Sequence, residues 1–297
     1  MVDVYPDKKL RPWSDSQVDE ILTTTQDFLK DFDIGQSEAT FTPQLDFPDK
    51  PILILLMTDP HYGSIFSNVE MINKHFDLVA NTPNTYVVIN GDDTDNFNAT
   101  GKWASAMMEN PVPPQQVSRA WFEKVKPLDE KGKIGAMGFG NHNDFGGRAG
   151  QDWYDSFLGQ LRAPIFTTGG LLHIKMDVTY DLAMTHMYWG SSKLNPTNAC
   201  KRFLDFEYPE ADIVFLGHTH VSEGLHFEKG GKDRIGVIGG TYKEVDPWAR
   251  KRGIGGSSGR PGHALMLYPN ERKMEHFKSI EVARDILSSY FDEGERV

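Results

Sequence analysis

Five times along this 297-residue chain a short apolar segment breaks off into a cluster of Asp, Asn or His. Asp59-Pro60-His61 follows Ile52–Met57, Gly91-Asp92-Asp93-Thr94-Asp95 follows Tyr86–Ile89, and Gly140-Asn141-His142 follows Ile134–Phe139. His186 follows Leu182–Thr185, and Gly217-His218-Thr219-His220 follows Ile213–Leu216. Short apolar runs bounded by turn chemistry read as buried strands. Between them the apolar spacing turns helical, as in Asn68–Ala80 with Val69, Ile72, His75, Phe76 and Val79. Helices are also predicted over Trp103–Met108, Gln116–Val125 (closing before Pro127), Asp152–Leu161 and Thr197–Phe206. Further strands are expected at Leu171–Met176, Arg234–Ile238 and Ala264–Tyr268. Strands alternating with helices predict an α/β domain layered around a sheet. In open α/β sheets the functional crevice lies beyond the carboxyl ends of the strands, so the five polar clusters are expected to meet in space.

The donor types restrict the chemistry. Cys200 is the single cysteine, which rules out an internal disulfide and any cysteine-built zinc or iron–sulfur site. A metal would have to be held by His, Asp, Glu or Asn. The longest apolar run, Ile52–Met57, is far short of the ~20 residues that cross a bilayer. The first residues lack an apolar signal region, so a cytoplasmic protein with no membrane association is expected. Two amphipathic flanks lie outside the central pattern. Ser14–Phe32 carries Val18, Ile21, Leu22, Phe28, Leu29 and Phe32 on one face, and Ile280–Phe291 repeats the arrangement. Each is expected to pack on the core, with a homo-oligomer or partner surface as the alternative. The division expected is a helical extension and connecting loop over 1–50, a catalytic domain over 51–270 and an amphipathic helix over 271–297.

The order Asp-x-His, Gly-Asp-x-x-Asp, Gly-Asn-His, a lone His and Gly-His-x-His resembles the calcineurin-like metallophosphoesterase superfamily, over roughly Pro51–Tyr268. That resemblance implies a layered sandwich of central β-sheets flanked by helices, and a hydrolase working through two divalent ions. Asp59, His61 and His220 would hold one ion, Asn141, His186 and His218 the other, and Asp92 would bridge them. Imidazole and carboxylate donors suit manganese first, with iron, zinc, nickel, cobalt or magnesium as alternatives. Two divalent ions against Asp59, Asp92 and a bridging hydroxide leave a net +1, attractive to a phosphate that the hydroxide would attack. His142 would be the general acid for the leaving group, and Asp95 the residue orienting it. Asp93 and Asp144 receive no role, and His75, His173, His226, His263 and His276 read as packing or surface residues.

Departures from the pattern narrow the branch. Asn96 and Phe97 stand where the serine/threonine protein phosphatases carry a phosphate-gripping Arg, and Asn143 stands where an acidic residue usually follows Gly-Asn-His. The general look is closer to Mre11/SbcD-type nucleases and cyclic-nucleotide phosphodiesterases. The net charge of −11 argues against a generic nucleic-acid binder. Yet the segment Lys243–Arg260 has five basic and two acidic residues, a net +3 that leaves −14 on the rest of the chain. Its Arg250, Lys251 and Arg252, together with Arg148 and Asn141, are the candidate substrate-binding residues, and a DNA or RNA strand is the candidate polyanion. Tyr62, Trp189 and Trp248 are candidates for stacking on bases. The expected activity is hydrolysis of phosphodiester bonds in nucleic acid or a nucleotide. A phosphomonoesterase of small molecules or phosphoproteins, or a non-catalytic binding protein on the same fold, are the alternatives.

Overall fold

The structure is a computed structural model that describes residues 14, 16–23, 38–96, 109–143, 157–190, 192, 195–244 and 260–291. The predicted helix Trp103–Met108 and the residues Phe97, Asp144, Arg148, Trp248, Arg250, Lys251 and Arg252 lie outside that range. The chain divides into two units, 1–35 and 36–297. In the first, residues 16–23 form helix α1. Ser14 caps it, its Oγ accepting the Gln17 N–H at 3.3 Å.

The second unit is built on Ile52–Met57 (β2), whose six residues are all buried. A strand buried on both faces needs two cores, and the side chains alternate between them. Leu53, Leu55 and Met57 face helices α2 (Val69–Asn81) and α3 (Pro114–Glu130), while Ile52, Ile54 and Leu56 face a second sheet. β2 pairs in parallel with β3 (Thr85–Asn90), which continues in parallel to β4 (Ile134–Gly138) and β5 (Ile165–Phe166). On its other side run β11 (His263–Leu267) and β12 (Met274–Phe277), antiparallel.

The second sheet has the order β1 (Glu38–Phe41), β6 (Gly170–Lys175), β7 (Thr179–Thr185), β8 (Ile213–Leu216), β10 (Lys232–Gly239), β9 (Ser222–Lys229). Its outer face carries α4 (Asn198–Phe206), packed through Ala199, Cys200, Phe203 and Leu204 against Val214, Leu216 and Ile238. The last helix, α5 (Ile280–Ser288), returns to the first core through Ile280, Ala283 and Leu287, leaving Ile286 exposed. Helices, sheet, sheet and helix therefore form successive layers, as the α/β pattern requires. No helix among the described residues is long and apolar enough to cross a membrane.

Four strands were not legible in the sequence. Glu38–Phe41 falls in the expected connecting loop but pairs in parallel with β6, Glu38 opposite Leu171. β5 has two residues, and β9 and β12 are edge strands with no buried position, so neither carries a continuous apolar run. Helix α3 also passes through Pro127 rather than stopping before it. Proline removes one i→i−4 hydrogen bond, but here it lies in the last turn, and tertiary contacts hold the turn that follows. Leu128 is buried in the core, and the Asp129 carboxylate accepts N–H bonds from Arg162 (3.0 Å) and Ala163 (2.9 Å).

Candidate metal centre

The five polar clusters meet. β2, β3 and β4 deliver Asp59–His61, Asp92–Asp95 and Asn141–His142 from one sheet, and β7 and β8 deliver His186 and His218–His220 from the other. The site therefore spans the upper edge of two facing sheets, in keeping with the expected sandwich of central β-sheets. Asn90, the last residue of β3, ties the two edges together. Its buried Nδ2 donates to the carbonyls of Thr185 (2.9 Å) and Phe215 (3.0 Å), at the ends of β7 and β8.

The backbone at the cluster is unusual. Asp59, His61, Asp92, Asn96, His218 and His220 all have φ between 44° and 68°. Non-glycine residues occupy this left-handed region at a cost of roughly 1–2 kcal/mol each. Hydrogen bonds hold the turns there: Asp59 N–H donates to Gly91 O (3.1 Å), His61 N–H to Asp92 O (3.0 Å) and Tyr242 N–H to Asp59 O (3.1 Å). The turns aim successive side chains into one space that extended strands would send to opposite faces. Gly140 admits Asp92, since a Cβ there would run into Asp92 Oδ1, and Gly217 similarly clears Thr58 Oγ1.

Each donor atom is aimed by the protein. Asp59 Oδ2 accepts from Thr58 Oγ1 (2.7 Å) and the His218 N–H (2.9 Å), which leaves Oδ1 facing the cluster. Asp92 Oδ1 accepts the His142 N–H (3.0 Å), which leaves Oδ2 at 3.0 Å from His186 Nε2. A carbonyl only accepts, so the 2.7 Å contact of His186 Nδ1 with Asn90 O places a proton on Nδ1 and presents Nε2. The same reasoning applies to His142, whose Nδ1 lies 2.7 Å from the Asp95 carbonyl. His61 Nδ1 lies 2.6 Å from Asp95 Oδ1, and its Nε2 is 3.0 Å from His220 Nε2. Asp95 thus contacts His142 through its main chain, while its carboxylate, 3.9 Å from His142 Nδ1, serves His61. Asp95, expected to orient His142, therefore meets that ring through its carbonyl oxygen.

The charges are mutually held. Burial opposes ionisation of His61, but Asp95, Asp59 and Asp92 overcome it and raise the imidazole to about 10. His186 is likewise raised to about 9, burial being outweighed by Asp92 and Asp59. The carboxyls of Asp59, Asp92 and Asp95 are correspondingly held below their ordinary range, against burial, by the facing histidines. Asp93 behaves oppositely: burial and the adjacent Asp92 push it up to about 8. Burial lowers His142 despite the pull of Asp92, and it lowers His218 too.

Three groups of side chains converge closely enough to share an ion: Asp59, His61 and His220; Asp92, His186 and His218; and His61, Asp92 and His142. Asn141 Oδ1 is buried and makes no hydrogen bond, while Asp59 Oδ1 and His186 Nε2, equally buried, meet only other members of the cluster, His220 Nε2 at 3.1 Å and Asp92 Oδ2 at 3.0 Å. Buried polar atoms are rarely left so, and acceptor atoms aimed at a common space fit divalent cations. The donor set passes that test.

Several further residues of the site escaped the sequence reading. Thr58 and Asn90 sit inside apolar strand ends, and nothing in their spacing separates them from the core. Lys243, grouped by sequence with the basic flexible segment, is instead buried (7% exposed), with Nζ at 3.3 Å from both Asp95 Oδ2 and Glu109 Oε2. Asn110 Nδ2 also donates to Asp95 Oδ2 (3.2 Å). Asn143 Oδ1 accepts the Gly140 N–H at 2.8 Å, so this departure from the pattern supports the glycine turn. The proposed substrate-binding residues Arg148, Arg250, Lys251 and Arg252 lie outside the described residues.

Residues 52–222 match the family model for the calcineurin-like phosphoesterase. No curated protein matches the chain. Among solved structures, Vacuolar Protein Sorting 29 of Cryptosporidium parvum is 15% identical, covering 77% of this chain and 99% of its own, with a TM-score of 0.38. Wild-type Vps29 of Entamoeba histolytica complexed with zinc is 14% identical over 76% of this chain and 98% of its own, with a TM-score of 0.37. A conserved protein of Streptococcus pneumoniae described as a predicted phosphoesterase is 13% identical over 76% and 97%, with a TM-score of 0.34.

Proposed function

The chain belongs to the calcineurin-like phosphoesterase family, and from that premise we propose that it is a two-metal phosphodiesterase acting on a nucleotide or a nucleic-acid strand. Asp59, His61 and His220 would hold one ion, and His186, His218 and Asn141 the other, with Asp92 between them. Divalent ions in such a site supply positive charge against the phosphate oxygens and lower the pKa of water.

The observation that carries the diester reading is Asn96. Its Nδ2 donates to the His142 carbonyl at 3.3 Å, and no positive charge stands at that position. A phosphate monoester is dianionic near neutrality and profits from an additional cation, whereas a diester carries one charge. Two divalent ions set against the carboxylates of Asp59 and Asp92 leave enough positive charge to attract a monoanion. His142 presents Nε2 to the cluster, 3.7 Å from Asp92 Oδ2, with Nδ1 anchored on the Asp95 carbonyl. Protonated at Nε2, it can hand a proton to the departing oxygen. Asp95 and Lys243 lie behind His61 and hold its ring in place.

The test is a metal-by-substrate screen on purified protein. Manganese-loaded protein should cleave bis-p-nitrophenyl phosphate and an oligonucleotide faster than p-nitrophenyl phosphate. His142→Ala should lose about 10²–10⁴-fold in kcat with metal still bound. Robust monoester turnover without diester turnover would replace this reading with a phosphomonoesterase.

A further inference from the structure

The chain leaving the ligand His186 does not return directly to the core. Met187, Tyr188 and Trp189 follow it, and Met187 and Trp189 are 57% and 61% exposed. Trp189 is nevertheless held firmly from one side. The Arg202 guanidinium, from helix α4, lies 3.6 Å from its ring centroid, the range of a close cation–π contact. Arg202 also reaches the exposed Phe206 ring, at 5.4 Å. Its Nε is buried and makes no hydrogen bond, so the flat contact with the indole accounts for its orientation there. The turn that brings the two together uses Gly190 at φ 109°, where a Cβ would sit 2.5 Å from Arg202 Cδ. Asn198 Nδ2 donates to the Gly190 carbonyl (3.0 Å) and fastens that turn to the start of the helix.

These contacts order an aromatic ring in solvent. A tryptophan serving the core would be buried, and one serving nothing would not be backed by an arginine and a glycine turn. We propose that Trp189 is the stacking surface for a nucleobase of the substrate, an inference that rests on the phosphodiesterase reading above. Trp189 stands three residues after His186, so their Cα atoms are at most ~11 Å apart. On this proposal a phosphate held at the histidines would send its base toward the indole. Every base offers a flat π-face, so the platform selects an aromatic nucleotide without selecting its sequence. The cation behind the indole draws on the same π-system and adds positive charge beside the path of a polyanion.

The test compares adenosine monophosphate with ribose 5-phosphate, which keeps sugar and phosphate but lacks the base. Both are titrated calorimetrically into manganese-loaded protein. Wild type should bind the nucleotide about tenfold tighter, the contribution of one stacked base. Trp189→Ala should bring the two ligands within twofold of each other, and Trp189→Phe should retain part of the preference. Equal affinities in wild type, a preference that survives Trp189→Ala, or binding of neither ligand would each overturn the inference. Turnover of bis-p-nitrophenyl phosphate reports separately on the underlying reading. A protein that cleaves it yet shows no base preference keeps the diesterase assignment and loses the platform.

Discussion

Replacing Asn90 with alanine tests the idea that one side chain holds the two halves of the site together. Asn90 is fully buried, and its Nδ2 supplies hydrogen bonds to the carbonyls of Thr185 and Phe215. Alanine removes the donor and leaves both carbonyls without it, in a place water reaches poorly. Each unsatisfied buried acceptor costs about 1–3 kcal/mol, so the loss in folding stability should be about 2–6 kcal/mol. Thr185 directly precedes His186, and Phe215 lies shortly before His218, so loosened strand ends should also misplace these two candidate metal ligands. Loss of a group that aims a metal ligand typically weakens binding about 10–100-fold. Urea unfolding of the metal-free protein measures the first quantity, and competition with a chelator of known affinity measures the second. Asn90→Asp keeps the shape, but its ionised carboxylate cannot donate, so it should be at least as damaging. A stability loss below about 0.5 kcal/mol in Asn90→Ala, well under one lost bond, would refute the clamp.

Three other outcomes follow from the same geometry. Gly140→Ala places a methyl group against Asp92 Oδ1; the displaced carboxylate should cost about 100-fold in kcat/KM, measured on a diester substrate, while far-ultraviolet circular dichroism stays native. Metal binding should release about two protons at pH 7.5, because His61 and His186 are held up at about 10 and 9 without metal and must be neutral to ligate. Calorimetry in buffers of different ionisation enthalpy counts them, and release of none would contradict the paired-charge description. Away from the site, Ser222 Oγ, His263 and His276 form a chain of contacts at 2.6 and 2.7 Å. Burial depresses His263 to about 4 and His276 to about 3. The unfolded chain therefore binds protons below about pH 6.5 that the folded one refuses, and stability should fall by about 1.4 kcal/mol per pH unit for each histidine between pH 6 and 4. His276→Gln should flatten that slope in acid unfolding curves.

Much of this protein was legible because its chemistry is written where strands end. Ile52–Met57 and Ile213–Leu216 are apolar at every position, and that alone places them inside. Asp59, His61, His218 and His220 interrupt those runs with groups that cannot be buried without a partner. Residue type and local spacing thus determined the alternation of elements and the position of the polar clusters at the C-terminal strand ends, while the assignment of individual donors rested on the family resemblance. Other features needed the third dimension. Edge strands such as Glu38–Phe41 bury little apolar surface and leave no periodicity, so only their partners reveal them. Pro127 stays inside a helix because Leu128 and Asp129 are anchored by residues distant in sequence. Lys243 reads as a solvated loop residue until Asp95, 148 positions away, is found beside it. Nor does any local signal mark Asn90 as the bridge between sheets, or send the Asp95 carboxylate to His61 instead of His142. Donor chemistry is a property of single residues and their neighbours, whereas orientation, pairing and charge state depend on which distant segments pack together. A cluster able to hold metal is therefore readable from the order of residues, but the aim of each of its atoms comes from the packing of segments far apart in the chain.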